Sequence, residues 1–188
     1  MTPRRSRSGG RTGTAELLLG EWACLGVLAP SPTHGFAIAA QLTPETEVGR
    51  IWSLSRPLTY RAIAQLTARA LVRPVADEPG AAGPNRTILA ATDHGRAELR
   101  AWLETPVTHL RDLRSELLMK IVLAERNDID LTDMLGDQRR RVAEQEVALS
   151  SRRSSGEVVD LWRHEVSIAG LRFLDRLTES GHRRRLTD

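Results

Sequence analysis

At 188 residues and 40% hydrophobic content, the chain has enough apolar material for one domain with a real core, or for two small ones. Its single cysteine, Cys24, excludes an internal disulfide and fits a reducing cytoplasm, while no apolar run approaches the ~18–20 residues of a membrane helix. The net charge is only +3 and Lys120 is the sole lysine, so the pI near 9.9 reflects arginine's high pKa, and what matters is where the charge sits.

The first residues, MTPRRSRSGGRTG, carry arginines without a following apolar core, so 1–14 reads as a disordered basic arm rather than a signal peptide. A first helix is predicted over AELLLGEWACLGVLA, with Leu18, Trp22, Leu25 and Ala29 at helical spacing and Pro30 and Pro32 ending it. Cys24 lies in this run and reads as a buried small hydrophobe. Thr33 is placed to cap a second helix, HGFAIAAQL, and ETEVGR reads as a polar loop. A third helix starts near Ser55, with Pro57 in its first turn, where a missing N–H costs nothing. Thr59, Ala62, Ile63, Leu66 and Ala70 form its apolar face, and Arg61, Ala64, Gln65 and Ala68 the other.

The period then changes. LVRPVA and RTILAA read as two short strands around the turn-rich DEPGAAGPN, giving a two-stranded hairpin whose tip bears Asn85 and Arg86. Thr92 caps a further helix, DHGRAELRAWLE, that Pro106 closes. The rest is predicted helical: RDLRSELLMKIVLAER, then DLTDMLGDQRRRVAEQEVALSSRR, which is charge-rich with few apolar anchors. A last helix opens with the capping-box spacing Ser154 to Glu157 and stops near Gly181. Its stripe, Val159, Trp162, Val166, Ala169, Phe173 and Leu177, has the spacing of a dimer seam. The fold expected is mainly α with a small two-stranded β-wing: an N-terminal winged helix-turn-helix over 15–106, a helical dimerisation region over 107–181 and a disordered tail over 182–188.

Charge supports a nucleic-acid face. Residues 1–106 hold 12 arginines against 9 acids, whereas 107–188 balance at 15 each. No acid occurs from Val48 to Ala76, a stretch with five arginines. A helix entering the major groove needs such a surface, because phosphates repel acids and long side chains block entry. Arg56, in the first turn, is favourably placed for phosphate. Arg61 is the leading candidate for a base or phosphate contact, and Arg69 lies at the far end. The Tyr60 hydroxyl is placed to reach a phosphate, with core packing of its ring compatible. Gln65 is placed to pair with adenine or to remain solvated. Thr59 shares this surface unless its periodicity buries it. On the wing, Asn85 and Arg86 would supply electrostatic contacts.

Four segments now carry a resemblance: LGVLAPSPTHGFAIAAQL (25–42), PLTYRAIAQLTARALV (57–72), GPNRTILAATDHGRAEL (83–99) and AWLETP (101–106). Together they resemble PadR-type transcriptional regulators, with Tyr60, Ala62, Ile63, Leu66, Leu71, Arg86, Thr92 and Gly95 in the family's positions. Arg56-Pro57-Leu58-Thr59 departs from the usual Gly-Ser/Thr-Leu, Ala70 from the usual glycine, and Leu89 from the wing aromatic. The resemblance implies a DNA-binding transcriptional regulator: a homodimer on a partly palindromic double-stranded operator, with a repressor role released by a small aromatic or drug-like effector. It allows Trp22 and Trp102 to line the effector pocket, with plain packing as the competing reading. Trp22, Trp102 and Trp162 all occupy core-facing positions by period, and Trp52 would anchor its loop.

Enzymatic signals are missing. His34 lacks metal partners at ligand spacing and reads as a structural hydrogen-bonding residue, while His94, His109, His164 and His182 are scattered singly. No phosphate loop or nucleophile–base arrangement is legible, so no catalytic residue, metal or cofactor is expected. The alternative function is a helical protein-interaction module, whose winged domain binds a protein partner.

Overall fold

The computed structural model describes residues 16–80, 83–150 and 157–185. The basic arm and the Ser154 capping box lie outside the described residues. The elements run α1 (Leu19–Leu28), β1 (Thr33–His34), α2 (Gly35–Ala40), α3 (Glu47–Ile51), α4 (Arg56–Ala68), β2 (Val72–Gly80), β3 (Gly83–Ala91) and α5 (Asp93–Leu103). A 3-10 turn (Leu110–Arg114), α6 (Glu116–Arg126), α7 (Thr132–Ser150) and α8 (Val158–Arg185) complete the chain. The molecule is mainly helical with a small antiparallel sheet and has the winged helix-turn-helix order.

Several local expectations are corrected. The sheet has three strands in the order β1-β3-β2, not two, because Thr33 and His34 pair with Leu89 and Ile88. His34, rather than Thr33, caps α2: its Nδ1 accepts the Ala37 N–H at 3.0 Å. ETEVGR is a short helix, not a loop. The Thr46 hydroxyl accepts the Gly49 N–H (3.0 Å) and donates to the Gln41 carbonyl (2.7 Å), and five residues are too few to display a period. β2 and β3 also run further than their apolar runs indicated, so Asn85 and Arg86 sit within β3 instead of at the tip. Pro74 has no N–H to donate, and the register slips there, from Pro74↔Leu89 to Ala76↔Ile88. α8 continues past Gly181 to Arg185, which removes the expected stop and the start of the expected tail. Trp52 is exposed, so it does not anchor its loop through burial.

The core is one continuous cluster running from α1, α2 and α4 through α5 into α6. Leu25, Leu28, Ile38, Leu42, Leu66, Leu99 and Leu103 fill the winged part, and Leu117, Met119 and Leu123 extend the cluster into α6. Buried polar groups tie the segment after α5 in place. The Gln138 amide clamps Val107, accepting from its N–H at 2.7 Å and donating to its carbonyl at 3.1 Å. Lys120 is only 1% exposed; its Nζ donates to the Thr105 carbonyl (2.6 Å) and pairs with Glu116 (2.8 Å). Burial lowers the Lys120 pKa, against the opposing pull of Glu116. Without Gln138, the Val107 N–H and carbonyl would be unpaired buried dipoles.

Candidate nucleic-acid interface

Helix α4 is held by its buried face and presents the other. Thr59, Ala62, Ile63 and Leu66 are buried as their spacing predicts, and Arg61, Ala64, Gln65 and Ala68 are exposed; Ala70, expected on the apolar face, is instead exposed just past the end of the helix. Thr59 is therefore corrected as a DNA-contacting residue: it is fully buried, and its hydroxyl donates back to the Ser55 carbonyl at 3.2 Å. Pro57 occupies the first turn and Ser55 the N-cap, so free backbone N–H groups point out of the helix start, a setting that favours anions.

Two contacts with α2 fix the start of α4. The Arg56 guanidinium lies over the Phe36 ring, 4.7 Å from its centroid, which orders a long cation on an exposed surface. Tyr60 lays its ring against Gly35: a Cβ added there would come within 2.8 Å of Tyr60 Cε1, so a larger residue would push the half-exposed ring aside. The packing expected of the Tyr60 ring is present, and the residue stays half exposed. Arg56, Tyr60, Arg61 and Gln65 share the outward surface of α4. Arg69, half-buried, forms the C-cap at the far end. The exposed Arg50 ends α3 just before α4 and adds a cation to this region.

The end of α4 is closed by a Schellman turn. Ala70 N–H bonds the Thr67 carbonyl (2.9 Å) and Leu71 N–H the Leu66 carbonyl (2.9 Å), which forces Ala70 to φ 56°. This is the position where the sequence carries alanine in place of the family's glycine. At the next junction the Thr92 hydroxyl donates to the Ala70 carbonyl (2.8 Å) and accepts the Gly95 N–H (2.9 Å). A Cβ on Gly95 would stand 2.2 Å from the Leu71 carbonyl oxygen, so glycine is required where α5 crosses the strand start. Helix α4, the wing and α5 are locked at this one corner.

The wing contributes less charge than the helix. Arg86 faces Glu78 in the register, and Thr87 donates to Asp77 at 2.9 Å. The described strand residues hold Arg73 and Arg86 against Asp77 and Glu78, two cations and two anions, net zero. Asn85 and Arg86 are exposed on β3, so they remain available, but Arg86 works beside an acid.

The four tryptophans divide differently from their periodicity. Trp22 and Trp102 stack on each other, ring centroids 4.8 Å apart and 9° from parallel, and the Lys120 Nζ sits 4.8 Å from the Trp102 centroid. They meet across α1 and α5, but neither lines the large cavity in the described residues. That cavity, about 940 Å³, lies between the 3-10 turn and α8. Trp162, Val166, Ala169 and Phe173 line it on one side, and Leu110 and Leu113 on the other, with Arg111, Arg114 and Arg163 around them and no carboxylate in its lining. Trp162 is 69% exposed, so its core-facing assignment is corrected; Val158, Val159 and Leu161 are exposed beside it. Val159 lies outside the cavity, and Leu177 is half-buried further along α8. The α8 face that packs on α7 is a different one, carrying His164, Ser167 and Leu174. The sequence did not mark Lys120 or Gln138 as buried, because nothing in their spacing separates them from solvated polar residues.

Cys24 is buried, and desolvation with nearby Glu21 pushes its thiol up to about 12, an inert side chain as its apolar run indicated. Among the described residues no group of three or more His, Cys, Asp or Glu side chains is arranged to hold a metal ion. No described helix is long and apolar enough to cross a membrane.

No protein-family model matches the chain, and no curated protein matches it. Among solved structures it is similar to Bacillus subtilis PadR in complex with operator DNA, at 17% identity over 84% of this chain and 96% of that one, with a TM-score of 0.42. The same Bacillus subtilis protein in complex with p-coumaric acid gives 16% identity, 85% and 96% coverage and a TM-score of 0.43. A PadR-like transcriptional regulator from Bacillus cereus gives 21%, 89% and 98%, and 0.40. These three solved structures are PadR or PadR-like proteins, and at 16–21% identity what the chain shares with them is the fold.

Proposed function

We propose that the chain is a DNA-binding transcriptional regulator that places α4 in the major groove. The observation that carries this is the outward surface of α4: Arg56, Tyr60, Arg61 and Gln65 stand exposed on a helix whose flanking sequence, Val48 to Ala76, holds five arginines and no acid. Such a face meets phosphates without repulsion, and the helix N-terminus adds its own attraction for anions. Arg69, Asn85 and Arg86 are assigned to flanking backbone contacts.

The regulator acts as a homodimer on a partly palindromic operator, its two recognition helices ~34 Å apart. The exposed apolar start of α8, Val158, Val159, Leu161 and Trp162, supports this, since such a patch is costly to leave in water. The cavity opens beside that patch. Its apolar walls and arginines make it a better seat for a small aromatic or drug-like effector than the closed Trp22–Trp102 stack, and the outcome assigned is repression relieved by that effector.

Fluorescence anisotropy with the DNA upstream of the protein's own gene tests the central claim. Binding that weakens steeply with salt is expected, about −0.9 in the slope of log K against log salt per phosphate neutralised. Folded protein that shows no salt-sensitive binding to that DNA or to a genomic fragment library would refute it.

A further inference from the structure

The entry to α4, Arg56-Pro57-Leu58-Thr59, departs from the family pattern, and the structure gives its third residue an unexpected place. Leu58 is 50% exposed in the first turn of α4. It stands three residues before Arg61 and seven before Gln65, which on a helix puts all three on one surface. Two residues earlier, Arg56 stacks on Phe36, itself 51% exposed at the start of α2. An apolar side chain is therefore set beside Arg61 on the face assigned to DNA, at the end of the recognition helix whose residues come nearest to base edges.

The major groove offers an apolar side chain one chemical partner on unmodified DNA, the 5-methyl group of thymine. Phosphates and the hydrogen-bonding edges of the other bases would be desolvated by leucine without compensation. Resting on the DNA-binding reading above, we infer that Leu58 reads a thymine methyl in each operator half-site, with Arg61 and Gln65 on the same face of α4 flanking that contact. The assignment makes Leu58 a specificity-determining residue and gives the altered helix entry a purpose: it exchanges the family's small polar residue for an apolar reader.

The test uses the full chain and the DNA fragment upstream of its own gene, footprinted first. Each thymine in the footprint is then replaced singly by deoxyuridine, which removes the methyl group and nothing else. One such replacement per half-site is expected to weaken binding about fourfold, the worth of one buried methyl. Leu58→Ala is expected to weaken binding to the thymine duplex by a similar or larger factor and to bind the two duplexes equally. Leu58 is exposed, so the variant should fold, and circular dichroism confirms that; Leu58→Gln, which keeps the length and removes the apolar end, should behave like the alanine variant. Absence of any footprint sinks the DNA-binding reading itself. A footprint with no deoxyuridine effect, or a Leu58→Ala protein that still distinguishes thymine from uracil, overturns this inference alone. Tighter binding to a 5-methylcytosine duplex without a deoxyuridine effect also overturns it, moving the contact to a modified base.

Discussion

Ala70 is the most exacting place to test the local physics of this fold. It sits at φ 56° as the residue after the C-cap of α4, held there by its own N–H bond to Thr67 and by the Leu71 bond to Leu66. A left-handed conformation costs an L-residue roughly 1–2 kcal/mol, because Cβ crowds the following carbonyl oxygen. Ala70→Gly removes that strain, and Ala70 is exposed, so no packing is lost. Against this, glycine widens the unfolded ensemble by roughly 0.4–1 kcal/mol. The difference leaves a net stabilisation of about 0.5–1 kcal/mol, which for a chain of this size raises Tm by roughly 1–4 °C. The control is the same substitution six residues earlier. Ala64 is also exposed but helical, so Ala64→Gly should destabilise by about 0.5–1 kcal/mol. Urea unfolding at fixed protein concentration, with m unchanged, reads both signs. An Ala70→Gly midpoint equal to or below that of the original protein would refute the reasoning, because strain is then not what the Schellman turn stores.

Four other outcomes follow from the structure. Arg61→Ala should weaken operator binding by about 1–3 kcal/mol and reduce the salt slope by about one unit, while Arg86→Ala, beside Glu78, should cost less; equal losses in anisotropy titrations would contradict the wing's neutral balance. Lys120→Ala should destabilise by about 2–4 kcal/mol in chemical denaturation, since Glu116 and the Thr105 carbonyl lose their partner and Trp102 loses its cation. Cys24 should resist thiol reagents at pH 8 in the folded protein and react on unfolding. Because its folded pKa is raised from 9.0 to about 12, its stabilising contribution is complete below pH 9 and is lost as pH rises from 9 towards 12, which alkaline melting curves can follow. Trp162→Arg should shift the protein towards monomer in sedimentation velocity, and an unchanged dimer would remove the α8 start from the interface.

The buried face of α4 was legible up to Leu66, because Thr59, Ala62, Ile63 and Leu66 follow a 3.6-residue period; Ala70 was misplaced on it because the chain leaves the helix before that residue. The same rule placed Arg61 and Gln65 outside. The inert Cys24 and the capping of α5 by Thr92 were equally local and equally readable. Other features were beyond any local pattern. β1 is two residues long and exists only because β3 offers it an edge, so its pairing could not be seen from Thr33 and His34 alone. α3 is capped rather than periodic. The wing tip was displaced because proline and glycine, read as turn formers, extend β2 and β3 once a partner strand fixes their register.

What the sequence determined by itself was therefore the longer helices and the sign of their charge: amphipathic period, caps, prolines and an acid-free stretch are properties of neighbouring residues. What the tertiary structure decided was which of those residues meet. It closed Trp22 on Trp102 under Lys120, buried the only lysine, and left Trp162 in solvent beside a cavity. It also set Leu58 in the open on the face of α4 that carries Arg61. Periodicity fixes a side chain's direction around its own helix axis, whereas burial depends on whether another element arrives on that side, and that is settled only by packing.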